Sequence, residues 1–169
     1  PPAQSAAGSA LTLSDQNFLT GAAASGQMEI AAARAAAQQA SNGNVKSFAG
    51  LLLKDHTATH ADLNALAAAK GLRLPTEVDA GRQPALDALL NARGAEFDRL
   101  FVQTIGIAAH RSDIALFEQA ARDGQDADVR AFAAKVLPKL REHLTAAGKL
   151  PGASGIGANT PAGSERKAP

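Results

Sequence analysis

The feature that most constrains the fold is an internal repeat. The segment Asn44-Val-Lys-Ser-Phe-Ala49 is matched 84 residues later by Asp128-Val-Arg-Ala-Phe-Ala133, and the same shift aligns Glu29 with Asp113. In each copy, a short turn separates two segments whose apolar residues recur at helical spacing. Because so short a turn allows only an antiparallel pair, the sequence predicts two duplicated helical hairpins.

Four long helices are predicted, over about residues 14–41, 44–70, 95–123 and 128–147. Ser14 is the expected N-cap of the first helix, and Gly43 is expected to end that helix in the left-handed conformation. Asn44 is the expected N-cap of the second helix. The connection 72–95 can run the length of the bundle, and a short helix is expected near Pro84. The predicted fold is therefore all-α, a four-helix bundle with one long crossover containing a short extra helix.

The two ends of the chain differ in composition from the predicted bundle. We expect residues 1–13 to form a flexible leader, residues 14–150 the bundle, and residues 151–169 a disordered tail rich in Gly, Ala, Pro and Ser. The chain begins with proline instead of methionine. We interpret this start as the product of processing, most simply the removal of a secretory signal, with an engineered chain start as the alternative.

Composition excludes several classes of function. Net charge is +1 with scattered basic residues, so no nucleic-acid partner is expected. No apolar run approaches the ~18 residues that span a bilayer. The absence of cysteine excludes disulfides and thiolate metal sites. There is no Gly-x-Ser-x-Gly motif and no phosphate-binding loop, which argues against a hydrolase. The sequence assigns neither a reaction nor an oligomeric state.

Every long helix directs an ionisable side chain toward the predicted interior. At about 1.5 Å rise per residue, Glu29, His56 and Asp113 lie near mid-height of the bundle, His110 lies one turn from Asp113, and His143 lies a turn or two from mid-height. Carboxylates and imidazoles that converge inside a bundle are how such folds hold transition metals. We therefore predict a site for Zn, Mn, Fe or Cu whose ligands are these five residues.

The alternative interpretation is a structural hydrogen-bond network. A single inward histidine is more often a hydrogen-bonded core residue than a ligand, and a lone glutamate on an alanine-rich helix can lie at the edge of its apolar stripe. We interpret His60, Asp55 and Glu142 as solvent-exposed flanks or as hydrogen-bond partners of ligands.

Five segments carry a resemblance to a known family. They are Phe18 through Met28-Glu29, Phe48-Ala49 through Asp55-His56, Phe97-Asp98 through His110, Asp113 through Glu118, and Phe132-Ala133 through Glu142-His143. Together they resemble a large bacterial family of exported proteins with a ferritin-like domain of unknown function, often described as outer-membrane proteins. The resemblance covers residues 14–150. It implies a ferritin-like four-helix fold and a periplasmic or secreted location in the cell envelope, and it supplies no established activity.

The sequence departs from the di-iron pattern of ferritin-like proteins. That pattern needs a glutamate on each of two helices and Glu-x-x-His on each of the other two. No Glu-x-x-His occurs here, and Ala109 stands where relatives tend to carry an aspartate. A mononuclear site of imidazoles with one or two carboxylates fits better. The expected function is an exported metal-binding protein; the alternative is a non-catalytic envelope scaffold or stress-related binding protein whose polar cluster is structural.

Overall fold

The computed structural model describes residues 10–154, which contain six α-helices and one π-helical segment. In chain order these are α1 (Leu13–Gln39), α2 (Gly43–Ala69), α3 (Gln83–Asn91), α4 (Gly94–Leu100), the π segment (Phe101–Ala109), α5 (His110–Asp123) and α6 (Ala127–Ala147). The helix α1 packs along α2, and α5 packs along α6. The predicted all-α bundle of two hairpins, joined by a long crossover with a short extra helix, is confirmed.

The structure does not describe the residues at the two ends of the chain. Residues 1–9 and 155–169, which include most of the predicted flexible leader and disordered tail, lie outside the described residues. Residues 151–154 contact the bundle, because Nε2 of Gln103 donates a hydrogen bond to the carbonyl of Gly152 at 2.9 Å. Across residues 10–154, no helix combines the length and the apolar character that crossing a bilayer requires.

Two predicted helix caps are wrong by two residues. The N-cap of α1 is Thr12, whose hydroxyl accepts a hydrogen bond from a backbone N–H of the first turn, and not Ser14. The N-cap of α2 is Asn42, and not Asn44, because α1 already ends at Gln39 and the turn begins about two residues earlier than predicted. Gly43 is consequently the first residue of α2, without the left-handed conformation expected of it.

Two buried aspartates tie each hairpin to the turn of the other hairpin. Asp15 accepts a hydrogen bond from the backbone N–H of Asp126 at 2.8 Å. Asp98 accepts hydrogen bonds from the backbone N–H groups of Ser41 and Asn42 at 2.9 and 2.7 Å. Hydrogen bonds to a charged acceptor are stronger than neutral ones. Because the exchange is reciprocal, it follows the internal repeat and fixes the two hairpins at both ends of the bundle.

The second repeat contains one residue more than the first. Asp15 and Glu29 are 14 residues apart, whereas their counterparts Asp98 and Asp113 are 15 residues apart. The π segment lies between these two counterparts. A π-helical turn accommodates one extra residue within an α-helix while the flanking turns keep their places. We therefore attribute the π segment to a one-residue insertion in the second repeat.

The apolar core is divided into two clusters by the polar centre. One cluster contains Phe48, Phe97 and Phe101, and the other contains Phe18, Phe117 and Phe132. Along α2, His56 lies between Leu52 of the first cluster and Leu63 of the second. The polar side chains of the centre are therefore enclosed by apolar packing above and below.

Candidate metal centre

Three imidazole rings from three helices meet at the centre of the bundle. They belong to His56 in α2, His110 at the start of α5 and His143 in α6, and we refer to them as the histidine cluster. Nε2 of His110 lies 3.3 Å from Nε2 of His56 and 3.3 Å from Nδ1 of His143. Their exposed fractions are 6%, 0% and 2%. Burial lowers the pKa of all three rings, so each is neutral at pH 7, the form that binds metals.

In two of these rings, the second nitrogen is held by an oxygen. Nδ1 of His110 lies 2.8 Å from the carbonyl oxygen of Ile105, and Nε2 of His143 lies 2.9 Å from Oδ2 of Asp55. Both oxygens are acceptors, so we assign the single hydrogen of each neutral ring to these nitrogens. The nitrogens that face the cluster therefore carry lone pairs.

Glu29 of α1 lies beside the other side of the cluster. Its Oε2 is 3.0 Å from Nδ1 of His56, and its Oε1 is 3.5 Å from Nδ1 of His110. Neither oxygen receives a well-aligned hydrogen bond from any residue between 10 and 154. Burial raises the pKa of Glu29. A carboxyl group so enclosed needs a proton, a water or a cation to compensate for its lost hydration.

Asp113 of α5 lies next to Glu29. It accepts a hydrogen bond from the hydroxyl of Ser25 at 3.0 Å and pairs with the carboxyl group of Glu29. Burial, and then the charge of Glu29, raise the pKa of Asp113 to about 8. In the metal-free protein Asp113 therefore holds its proton at pH 7.

Of the five predicted ligands, the structure brings three to one point and places the other two beside it. The nitrogens of the histidine cluster face each other. Glu29 contacts the nitrogens on the far sides of two rings, and Asp113 contacts Glu29. Asp55, expected to be a flank or a partner of a ligand, is the acceptor for His143.

Sequence patterns did not reveal the acceptor for His110. The carbonyl of Ile105 lies within the π segment, where the backbone pairing of a regular helix is altered. This carbonyl precedes His110 by five residues and accepts its side-chain N–H. The unequal spacing of the two repeats was the signal in the sequence that could have identified this segment.

A small cavity lies against the histidine cluster, and we refer to it as the chamber. Its walls include His56, His143, Glu29 and Asp113. It has a volume of about 20 Å³, which is enough for one water molecule. The chamber thus places a water-sized space beside two of the three rings of the histidine cluster.

Comparison with protein families gives a match over most of the sequence. The sequence model of a domain of unknown function, DUF4142, matches residues 1–150 of the 169 residues. The chain belongs to the DUF4142 family. As this family has no assigned function, membership adds no activity to the geometry described above. No curated protein matches this DUF4142 member.

A solved structure shares the fold of this DUF4142 protein. It is the crystal structure of a DUF305 fragment from Deinococcus radiodurans, with a TM-score of 0.71 and 12% sequence identity. The similarity covers 81% of the DUF4142 chain and 94% of the fragment. At this identity the similarity is one of fold alone.

The spacing of the cluster in this DUF4142 protein suits a metal ion. Two ligands, each about 2.0–2.1 Å from an ion and separated by a tetrahedral angle, are about 3.3–3.4 Å apart. The two measured nitrogen separations are 3.3 Å. Without a cation or a proton between them, the lone pairs on the facing nitrogens of His110 and His143 repel one another at this distance. The donor set therefore fits an ion that accepts imidazole nitrogen, such as Zn, Cu or Fe.

Proposed function

We propose that this protein binds one transition-metal ion through Nε2 of His56, Nε2 of His110 and Nδ1 of His143. The observation that supports this function is the orientation of the rings. In each ring one nitrogen faces the cluster, while the other nitrogen faces an oxygen. In metal proteins such an oxygen fixes the tautomer and orientation of the ring and raises the basicity of the ligating nitrogen. A purely structural network gains nothing from the contact between His110 and His143, whose facing nitrogens are both acceptors.

Glu29 and Asp113, which the sequence placed among the ligands, take other roles in this proposal. Glu29 lies next to two ligating rings, and its carboxylate form would favour a bound cation. Asp113, with its raised pKa, remains neutral and orients Glu29. A donor set of imidazoles suits Zn, Cu or Fe, whereas Mn prefers oxygen ligands. Of the four metals predicted from the sequence, Mn is therefore the least favoured.

Metal titration tests this function. Protein stripped with a chelator should bind about one Zn(II) or Co(II) per chain in calorimetry and in elemental analysis. His110→Ala removes a ligand and should weaken binding by more than about 100-fold, beyond the effect of losing a supporting residue. Glu142→Ala, an exposed change next to His143, should bind as the wild type does. A wild type that binds no transition metal tightly would refute the proposed site.

The second candidate function is a non-catalytic scaffold or stress-related binding protein with a structural polar cluster. The apolar clusters on both sides of the centre favour it, because a buried network fixes how the four helices pack. His56→Leu would then give a protein of equal or higher stability, with or without metal. Metal binding predicts instead that His56→Leu loses the metal-dependent increase in Tm. Unfolding of both proteins with and without Zn(II) separates the two functions.

We also propose that the protein works in the periplasm or outside the cell. The support is the resemblance to exported envelope proteins given by the segments around Glu29, His56, His110 and His143. Fractionation of cells that produce the natural gene product should recover the protein with the periplasmic or secreted fraction. Recovery with a cytosolic marker would contradict this location.

A further inference from the structure

The chamber lies where the internal repeat would place a second histidine cluster. Shifting by 84 residues pairs His110 with Gly26, His143 with Thr59 and His56 with Leu140. All three counterparts line the chamber, and so does Asp113, the counterpart of Glu29. Because a glycine and a threonine replace two imidazole rings, side-chain volume is missing at this place. The chamber is therefore the space that one repeat leaves where the other repeat has its histidines.

A polar atom without a partner faces this space. Nε2 of His60 lies 3.0 Å from the side-chain nitrogen of Gln27, which is a donor, so this ring nitrogen accepts. In a neutral ring the other nitrogen, Nδ1, then carries the hydrogen. Nδ1 of His60 is buried, and no residue between 10 and 154 accepts its hydrogen bond. His60 lines the chamber, where a ligand could accept this hydrogen bond.

The carboxyl group of Glu29, which forms another part of the chamber wall, also lacks well-aligned hydrogen-bond donors in the described part of the chain. Both of its oxygens are buried. Glu29 is 1% exposed and lines the same space as His60. A chamber that has an unpaired donor on one side and a buried carboxyl group on the other suits a polar occupant. An empty apolar cavity would have neither.

We propose that the chamber admits one small ligand from solution, which binds the metal ion and accepts a hydrogen bond from Nδ1 of His60. This inference rests on the metal function proposed above. Three protein ligands leave a tetrahedral ion one position for a solvent-derived ligand. At about 20 Å³ the chamber excludes organic substrates and fits a water, a hydroxide or an anion as narrow as azide. Half-buried Thr59 and half-exposed Lys139 form the part of its wall nearest to solvent.

A cobalt-loaded protein with azide as the probe tests the chamber. The visible spectrum of Co(II) reports its coordination, so azide binding to the loaded wild type should shift the bands and saturate at one azide per ion. Gly26→Ala adds a methyl group that, among residues 10–154, meets Nδ1 of His60 at 3.4 Å and no other side chain within 4 Å. This variant should hold Co(II) as tightly as the wild type and bind azide at least about ten-fold more weakly.

The matched control is Gly50→Ala in α2. It removes the same unfavourable helical glycine, but its added methyl group meets nothing within 4 Å and lies on an exposed surface. Gly50→Ala should bind both Co(II) and azide as the wild type does. A further variant, His60→Ala, removes the proposed donor without adding volume and should also weaken azide binding while retaining Co(II).

The outcomes separate this inference from the function on which it rests. If the wild type fails to bind Co(II), the metal function is wrong and the inference fails with it. If Co(II) binds but azide leaves its spectrum unchanged, the ion has no open position at the chamber and only the inference is overturned. An equal azide response in the wild type and Gly26→Ala would likewise refute ligand binding in the chamber, while the proposed metal site would stand.

Discussion

At the scale of single residues, burial favours the neutral form of every ionisable group at the centre of this protein. Burial lowers the pKa of His56, His110 and His143 and raises the pKa of Glu29 and Asp113. The cause is the same for all five groups, because the charged form of each loses its hydration. Five ionisable groups can therefore share an apolar bundle, and the arrival of a cation would be the largest change of charge at this place.

The raised pKa of Asp113 predicts how stability depends on pH. Its pKa is about 8 in the folded protein against an ordinary 3.8, so the folded state holds a proton that the unfolded state releases between these values. The free energy of unfolding should therefore fall as the pH rises through this window. Between pH 6.5 and 8 the metal-free wild type should lose about 1–2 kcal/mol through this group.

Asp113→Asn isolates this contribution. Asparagine has the shape of the neutral acid but no proton to release, so the variant should lack the loss of about 1–2 kcal/mol that Asp113 contributes between pH 6.5 and 8. The histidines contribute an opposing rise in stability near pH 6.5, because they are partly protonated when unfolded and neutral when folded, but this rise is shared by the wild type and the variant and cancels in the comparison. Urea unfolding of the metal-free proteins at three pH values measures the slope. Equal slopes for the wild type and the variant would show that Asp113 is ionised at neutral pH.

At the scale of secondary-structure elements, the π segment is the part of the site whose role is least evident from the sequence. Deleting Ala108, an exposed residue of this segment, would restore the 14-residue spacing that the first repeat has between Asp15 and Glu29. The shortened helix should therefore fold as a regular α-helix and keep both Asp98 and Asp113 in place. The Ile105 carbonyl would then accept a backbone N–H of the regular helix, and Nδ1 of His110 would lose its acceptor.

The expected result of this deletion is unchanged helix content by circular dichroism and metal affinity reduced by about 10- to 100-fold, the usual cost of losing a residue that orients a ligand. Deletion of Glu77, an exposed residue of the crossover, serves as the control and should leave metal affinity unchanged. Wild-type affinity after deletion of Ala108 would show that the π segment has no part in positioning His110.

Much of the fold could be predicted from the sequence because its signals are local and repeated. The apolar periodicity defined each long helix, the short turns paired the helices, and Pro84 marked the start of α3. The caps of α1 and α2 were less predictable, because Thr12 and Ser14, or Asn42 and Asn44, are chemically similar and lie within two residues of each other. Helix ends are decided by such small differences.

The sequence could predict which side chains of the candidate site point into the bundle, but not which of their atoms meet there. Periodicity showed that His56, His110 and His143 point inward, and the structure brings them together. It could not show which ring nitrogen faces the centre, because that depends on ring orientation. Nor could periodicity show that Glu29 contacts the outer nitrogens of His56 and His110 and not the facing ones. That depends on how each helix is rotated about its own axis, which the height of a residue in the bundle does not reveal.

At the scale of the whole molecule, the aspartates at the two ends of the bundle should determine how tightly the hairpins associate. Asp98→Ala leaves two backbone N–H groups and a hydroxyl without their charged acceptor. It should lower the free energy of unfolding by about 2–4 kcal/mol, measured by urea denaturation. Asp87→Ala, at an exposed position of α3, should change it by less than about 0.5 kcal/mol. Equal effects of the two substitutions would contradict the proposed role of Asp98.

A metal ion held by three of the four long helices should stabilise the whole bundle, because the unfolded chain cannot bring His56, His110 and His143 to one point. With free Zn(II) at 100 times the dissociation constant, the free energy of unfolding should rise by about 2.7 kcal/mol, and chelation should reverse the rise. Asp98 lies about 20 Å along the helix from the cluster, so its effect and that of the metal should add. Zn(II) should therefore raise the stability of Asp98→Ala by the same amount as that of the wild type, while His110→Ala should show no rise. Thermal unfolding of the three proteins with and without Zn(II) provides the measurement, and a rise in His110→Ala would place the bound ion elsewhere.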